Sequence, residues 1–118
     1  MAAHILIADD DDDVAHVVME VVQHWGFSTT RVTSGREAYA LLASCNDLYS
    51  MAIIDVKMPN GDGVSCIKLI RELGIVLPVL FITGQSDELL SEMREPVLQK
   101  PFHINELMDQ IKSIALIK

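Results

Sequence analysis

The chain has 118 residues, half of them hydrophobic, and a formal net charge of -8 at pH 7. This length suits one domain with its own hydrophobic core, and we predict a single domain over residues 1–118. The excess of acidic side chains argues against direct binding to nucleic acid, which depends on Lys and Arg contacts to phosphates. A protein partner is therefore expected.

The apolar segments are short. The longest, near residues 75–82, is far below the roughly 20 residues that a membrane-spanning helix needs. Residues 1–8 lead into an acidic run and carry no basic leader, so they do not resemble a signal peptide. We expect no membrane span and a cytoplasmic location. Cys45 and Cys66 lack the spacing of metal ligands and are predicted to be reduced core residues.

Apolar strands alternate with helical patterns along the whole chain. In chain order, the predicted elements are a strand at His4–Ala8, a helix at Val14–Trp25, a strand at Phe27–Val32, a helix at Ala38–Cys45, a strand at Met51–Ile54, a helix at Val64–Ile70, a strand at Pro78–Thr83, a helix at Ser86–Met93, a strand at Val97–Gln99 and a helix at Ile104–Ile117. Such alternation predicts an α/β fold with a parallel sheet covered by helices on both faces.

Polar residues stand at the carboxyl ends of four predicted strands: Asp9 and Asp10, Asp55, Thr83, and Lys100. Ligands of open α/β sheets bind outside these strand ends. Each residue alone is unremarkable, because an acidic run often caps a helix and a strand threonine often only packs. Their shared edge of the sheet indicates a functional site.

Clustered carboxylates repel each other, by roughly 4 kcal/mol for two charges about 4 Å apart at an effective dielectric of 20. A hard divalent cation offsets this repulsion, and Mg²⁺ prefers carboxylates, waters and phosphate oxygens. Lys100 is expected to pair with Asp55 when the metal is absent. With Mg²⁺ bound, the Asp55 carboxylate is predicted to attack a phosphoryl donor.

Four segments resemble the signature segments of bacterial two-component response regulator receiver domains, in family order and over nearly the whole chain. They are Ile5–Asp10 (ILIADD), Ile54–Pro59 (IDVKMP), Phe81–Gly84 (FITG) and Gln99–Phe102 (QKPF). The resemblance implies a three-layer α/β/α sandwich of the flavodoxin-like type. Its parallel sheet would have five strands in the order 2-1-3-4-5, and its fourth helix, at Ser86–Met93, would be shortened.

The resemblance also implies a role for each site residue. Asp55 would be the phosphoacceptor, Thr83 the switch hydroxyl and Lys100 the lysine that contacts the phosphoryl group. Mg²⁺ would be held mainly by Asp10, with Asp9 and Asp55. Enzymatic activity would be confined to Mg²⁺-dependent self-phosphorylation and self-dephosphorylation.

Further expectations follow from the same resemblance. The Lys57 main-chain carbonyl would complete the metal ligands, and the Lys100–Pro101 peptide would be cis. Lys57 and Gln85 would border the path of the water that removes the phosphoryl group. The donor would be a phosphohistidine on a sensor histidine kinase or histidine phosphotransfer protein, and the output a downstream protein target. We expect a monomer or weak dimer that binds neither nucleic acid nor membrane.

One position departs from the family pattern. Receiver domains usually carry Tyr or Phe three residues before the lysine, and this chain has Val97 there. The segment between Thr83 and Lys100 is also several residues short. The pattern therefore supports phosphorylation better than it supports the usual aromatic output switch.

Three other functions fit parts of the pattern. A Mg²⁺-dependent phosphatase with an aspartyl-phosphate intermediate would resemble the haloacid dehalogenase pattern, but Lys57 stands where that pattern needs a second Asp. A flavodoxin-like cofactor binder is disfavoured because Asp9 and Asp10 would repel a flavin phosphate. A receiver-like module that binds proteins without phosphorylation is the third reading.

Overall fold

The structure is a computed structural model and describes residues 3–84 and 94–115. Its elements, in chain order, are β1 (His4–Ala8), α1 (Asp12–His24), β2 (Ser28–Val32), α2 (Gly35–Cys45), a 3-10 turn (Asn46–Leu48), β3 (Met51–Asp55), α3 (Gly63–Glu72), β4 (Val79–Thr83), β5 (Val97–Gln99) and α4 (Ile104–Ala115). The predicted helix Ser86–Met93 and its shortening lie outside the described residues.

All the described strands form one parallel sheet of five strands in the order β2-β1-β3-β4-β5. This order confirms the predicted fold class. The order of the strands reverses between β1 and β3, which both lie in the middle of the sheet. Ligands of doubly wound sheets bind at such a reversal, beyond the carboxyl ends of the strands.

Each face of the sheet carries its own apolar core, because the central strands are apolar along most of their length and bury side chains on both sides. Leu6 and Ala8 of β1 pack with residues of α2 and α3. Ile5 and Ile7 of the same strand pack with residues of α1 and α4. The helices therefore form two outer layers around the sheet, as predicted.

The strand and helix limits differ from the predicted ones by a few residues. β3 extends through Asp55, which is paired with Ile82 of β4 rather than standing after the strand. Three helices begin at capping side chains that accept from a backbone N–H: Asp11 from Asp13 at the start of α1, Ser34 from Glu37 at the start of α2, and Asp62 from Ser65 at the start of α3. The helices thus start where short polar residues satisfy their free N–H groups.

Two backbone features bear on the edge of the sheet that carries the polar residues. The Lys100–Pro101 peptide is cis, as predicted. Asn60 and Gly61, in the turn between β3 and α3, have positive φ angles of 52° and 102°, a backbone conformation that Gly and Asn adopt more readily than other residues.

Within the described ranges, none of the helices is long and apolar enough to cross a bilayer.

Candidate functional site

Asp55 lies at the centre of the sheet edge, at the carboxyl end of β3. Its side chain is buried, with 6% of the residue exposed. Both carboxylate oxygens accept a hydrogen bond: Oδ1 from the Lys57 backbone N–H at 3.2 Å and Oδ2 from the Lys100 ammonium at 3.1 Å. The carboxylate is therefore oriented by Lys57, two residues further along the chain, and by Lys100, which directly follows strand β5.

Asp9 and Asp10 follow β1, the neighbouring strand, and reach the same point. One ligand oxygen from each of Asp9, Asp10 and Asp55 lies within 4.8 Å of the others. Asp9 is buried, whereas Asp10 is exposed to solvent. The adjacent Asp11 caps helix α1, and Asp12 and Asp13 lie in the first turn of that helix. The acidic run is thus divided between a carboxylate cluster and a helix start.

Lys100 enters the cluster from the edge strand. Its backbone N–H donates to the Thr83 carbonyl at 2.7 Å, which fixes the end of β5 against β4. Its ammonium lies 3.1 Å from Asp55 Oδ2 and 3.5 Å from Asp9 Oδ2. Burial lowers the pKa of Lys100, but the hydrogen bond to Asp55 and the two carboxylate charges outweigh burial and raise the net pKa. Lys100 therefore stays charged and partly neutralises the cluster.

Asp9 is the member of the cluster whose negative charge is least well stabilised. Burial raises the pKa of Asp9 to about 6, and the charge of Asp55 adds to the rise. The Asp11 backbone N–H, which donates to Asp9 Oδ1 at 2.9 Å, and the charge of Lys100 both oppose it. Asp9 Oδ2 is buried and makes no hydrogen bond to any residue that the structure describes, and the Lys100 ammonium lies 3.5 Å from it.

These residues fit a hard divalent cation. A buried carboxylate oxygen without a hydrogen bond is costly, and it has a free lone pair for a metal. The donor set is made of carboxylate oxygens alone, which suits Mg²⁺ and not a softer metal. Asp9, Asp10 and Asp55 could hold such an ion, and its charge would offset their mutual repulsion.

Two further predicted residues, Thr83 and Lys57, lie at the same edge. Thr83 ends β4 and is buried, with 3% exposed. Lys57 contacts Asp55 through its backbone N–H. Val97, where the family pattern has an aromatic residue, is 36% exposed on β5. Gln85 lies outside the described residues.

Gly63 is a residue of the site that the sequence analysis did not identify. A Cβ atom at this position would lie 2.3 Å from the Asp55 carbonyl oxygen and 2.6 Å from Ile54 Cγ2. The Gly63 N–H donates to the Val56 carbonyl at 2.9 Å. The start of α3 therefore rests directly on the backbone of Asp55. Gly61 and Gly63, which follow β3 closely, were the available signal. Their spacing alone does not distinguish a glycine needed for close backbone packing from a glycine needed for a turn.

The fold and this edge define the chain as a flavodoxin-like α/β domain with an acidic cluster beside a partly buried lysine. The sequence profile of the response regulator receiver domain matches residues 5–112. The chain belongs to this family and is a receiver domain of two-component response regulators.

Individual relatives agree with this family. The response regulator receiver protein CpdR of Brucella abortus is 28% identical over 117 residues, which cover 95% of this chain and 96% of CpdR. The transcriptional regulatory protein TctD of Salmonella typhimurium is 31% identical over 93% of this chain but only 50% of TctD. The chain thus spans nearly all of one relative and about half the length of the other.

Solved structures agree as well. A crystal structure attributed to a response regulator of Chloroflexus aurantiacus superposes with a TM-score of 0.86 at 32% identity, covering 98% of this chain and 99% of that one. The chemotaxis response regulator CheY4 of Vibrio cholerae has a TM-score of 0.82 over 97% of this chain and 99% of its own, at 23% identity, and so supports the fold alone.

Family membership decides between the functions that the sequence left open. The phosphatase and the phosphorylation-independent module are not favoured by any of these relatives. Receiver domains in general are phosphorylated, bind Mg²⁺ at an aspartate cluster and interact with histidine kinases or downstream targets. They are not enzymes in the usual sense.

Proposed function

We propose that Asp55 is the phosphoacceptor of this receiver domain and that Mg²⁺ is bound by Asp9, Asp10, Asp55 and the Lys57 main-chain carbonyl. The observation that carries the proposal is the buried Asp55 carboxylate, held 3.1 Å from Lys100 within a cluster of three acidic groups. A buried carboxylate with a lysine partner and neighbouring cation ligands is suited to nucleophilic attack on a phosphoryl group.

In the proposed reaction, an Asp55 carboxylate oxygen attacks the phosphorus of a phosphohistidine. A P–O bond forms as the P–N bond breaks, and the imidazole leaves with the electron pair and takes up a proton. When bound, Mg²⁺ would supply positive charge to the phosphoryl oxygens during the transfer. The Lys100 ammonium, already at the carboxylate, would bind one phosphoryl oxygen, and the Thr83 hydroxyl would donate to another.

The orientation of Asp55 is provided by the chain itself. Its Oδ1 is held by the Lys57 N–H at 3.2 Å, so the carboxylate plane is set before a donor arrives. Self-dephosphorylation would reverse the modification by attack of water on the acyl phosphate. We propose that Lys57 and Gln85 border the path of that water.

The proposal extends to the partners of the domain. The donor would be a sensor histidine kinase or a histidine phosphotransfer protein, and the output would be a protein target bound by a monomer or weak dimer. The single-domain organisation over residues 1–118 and the cytoplasmic location also stay predictions. Val97 leaves the usual aromatic output switch unsupported, so the target surface is proposed to respond through Thr83 without an aromatic rotamer change.

Acetyl phosphate tests the acceptor. Incubation with Mg²⁺ should add one phosphoryl group per chain, measured by intact-protein mass spectrometry, and Asp55→Asn should abolish it. Asp47→Asn, an exposed aspartate in the 3-10 turn, is the matched control and should be labelled like the wild type. Equal labelling of Asp55→Asn and the wild type would refute the assignment.

A further inference from the structure

Arg31 is a partly buried arginine that the proposed reaction does not use, yet it contacts the loop that carries the acidic cluster. It belongs to β2, and 18% of its side chain is exposed. Its Nε and Nη2 atoms both donate to the Asp9 main-chain carbonyl, at 3.2 and 3.0 Å. Nη2 also lies 2.8 Å from Asp12 Oδ1. One guanidinium therefore spans both ends of the loop between β1 and α1.

The carbonyl that Arg31 binds has a specific position in the loop. It belongs to the peptide that joins Asp9 to Asp10. Because a peptide group is planar, holding its oxygen also sets the direction in which the backbone continues to Asp10. The Asp9 N–H donates to the Val32 carbonyl at 3.1 Å. Both backbone polar groups of Asp9 are thus tied to β2, one through the sheet and one through Arg31.

Asp10 depends on this backbone for its place. Its carboxylate is exposed and, within residues 3–84 and 94–115, makes no hydrogen bond or ion pair. Asp9, by contrast, is buried and has its Oδ1 held by the Asp11 N–H. The solvent-facing member of the cluster is therefore oriented by the peptide that precedes it and not by contacts of its own side chain.

Two effects of Arg31 on a bound cation have opposite signs. As a positive charge near the cluster, it would repel Mg²⁺ and weaken binding. As the holder of the Asp9–Asp10 peptide, it would order the ligands in advance and strengthen binding. The ion pair with Asp12 contributes little to either effect, because 78% of the Asp12 side chain is exposed.

We propose that Arg31 is a positioning residue for the divalent cation and that its hydrogen bonds to the Asp9 carbonyl outweigh its charge. This role rests on the proposed function of the Asp9, Asp10 and Asp55 cluster. The fork of a guanidinium provides two parallel donors to one oxygen, which a lysine ammonium on its flexible stem does not reproduce. The bonds, not the charge, are therefore what a substitution should reveal.

Isothermal titration of Mg²⁺ into the folded protein separates the two effects. Arg31→Gln should weaken Mg²⁺ binding about tenfold, as is typical when a group supporting metal ligands is lost. Arg31→Lys keeps the charge and should also bind Mg²⁺ more weakly than the wild type. Arg36→Gln, an exposed arginine at the start of α2, makes the same charge change elsewhere and should leave the affinity unchanged.

The outcomes distinguish this role from the proposed function. A wild type that binds no Mg²⁺ and accepts no phosphoryl group would contradict the proposed function itself. If the wild type does both, tighter binding by Arg31→Gln with unchanged binding by Arg31→Lys would show that only charge matters and would overturn the positioning role. Affinities equal to the wild type in both variants would overturn it as well.

Folding and chemistry need their own measurements. Circular dichroism and urea unfolding establish whether each variant is folded. If Arg31→Gln unfolds, the Mg²⁺ affinity of Arg31→Lys, which keeps a long side chain and its charge, is used for the test instead. Acetyl phosphate labelling of the folded variant should be slow at low Mg²⁺ and return towards the wild-type rate at saturating Mg²⁺. Slow labelling that saturating Mg²⁺ does not restore would contradict a role in placing the cation ligands.

Discussion

The Lys100 ammonium donates to Asp55 Oδ2 at 3.1 Å, joining the edge strand β5 to the central strand β3. The same ammonium lies 3.5 Å from Asp9 Oδ2. One cation therefore serves two buried carboxylates, and the acidic cluster is only partly neutralised by the chain itself. This arrangement leads to predictions for stability as well as for phosphorylation.

Replacing Lys100 with Met should destabilise the metal-free protein by about 2 kcal/mol, because it removes a hydrogen bond to a charged group and leaves buried carboxylates without their cation. Urea unfolding in EDTA measures the change. Lys68→Met, an exposed lysine of α3, is the control and should cost much less. In the double variant Lys100→Met/Asp55→Asn, part of the loss should be recovered, since one unpaired charge is gone. A Lys100→Met protein as stable as the wild type would contradict the pairing.

Millimolar Mg²⁺ should raise the melting temperature, because a ligand that binds the folded state stabilises it by mass action. Asp10→Ala should remove most of this increase, since Asp10 is the exposed member of the cluster and a proposed ligand. Differential scanning fluorimetry with and without Mg²⁺ measures both effects, and Asp47→Asn serves as the control. A melting temperature indifferent to Mg²⁺ would count against the cation site.

The contribution of Asp9 to the stability of the metal-free protein should fall as pH rises from about 4 to about 6. The pKa of Asp9 is raised from 3.8 to about 6 by burial, so in this window the folded state holds a proton that the unfolded state has lost. The free energy of unfolding therefore decreases with pH here, by on the order of 3 kcal/mol for Asp9, and is level for this group above the window.

Asp9→Asn isolates this contribution. Urea unfolding of both proteins across the window should show Asn becoming more stable relative to the wild type as pH increases. The pKa of Glu37 is lowered by hydrogen bonds from Thr33 and Ser34, which gives an opposite pH dependence, but Glu37 is present in both proteins and cancels in the difference. A stability difference independent of pH would contradict the raised pKa.

Gly63→Ala should destabilise the protein by about 1–3 kcal/mol, the usual cost of forcing extra atoms into a packed site. The added Cβ would clash with the Asp55 carbonyl oxygen, and because this is a backbone atom, no side-chain rotation can relieve the clash. Because that backbone carries the proposed phosphoacceptor, acetyl phosphate labelling should also slow. Gly84→Ala, whose Cβ would meet nothing within 4 Å, is the control for stability. Equal unfolding midpoints for the two variants would argue against the close approach.

The layers of the fold and the members of the acidic edge could be predicted from local patterns. Apolar runs such as Met51–Ile54 indicate a strand buried on both faces, and a polar residue at the end of such a strand must lie at the sheet edge. For this reason Asp9, Asp10, Asp55, Thr83 and Lys100 were predicted to share one edge, and the structure brings them there. Their roles in phosphorylation and metal binding stay predictions.

Other parts of the site depend on contacts between segments that lie far apart in the sequence. Arg31 is one polar residue in a short strand, and its two bonds to the Asp9 carbonyl arise only when β2 lies beside β1. In the sequence, Gly63 looks like an ordinary turn residue. Its close approach to the backbone of Asp55 exists only in the folded domain, where the start of α3 packs against β3. The raised pKa of Asp9 likewise needs the burial that the packed edge creates.

Local patterns suffice to say which residues meet at the carboxyl edge, because hydrophobic periodicity sets the strands and parallel strands end together. How these residues meet depends on the packed domain: which Asp55 oxygen Lys100 binds, which Asp9 oxygen has no hydrogen bond to the described residues, and which backbone group Arg31 holds. Periodicity carries information about faces and ends, whereas hydrogen bonds depend on positions to within a few tenths of an ångström, and those are set by the packing of the whole domain.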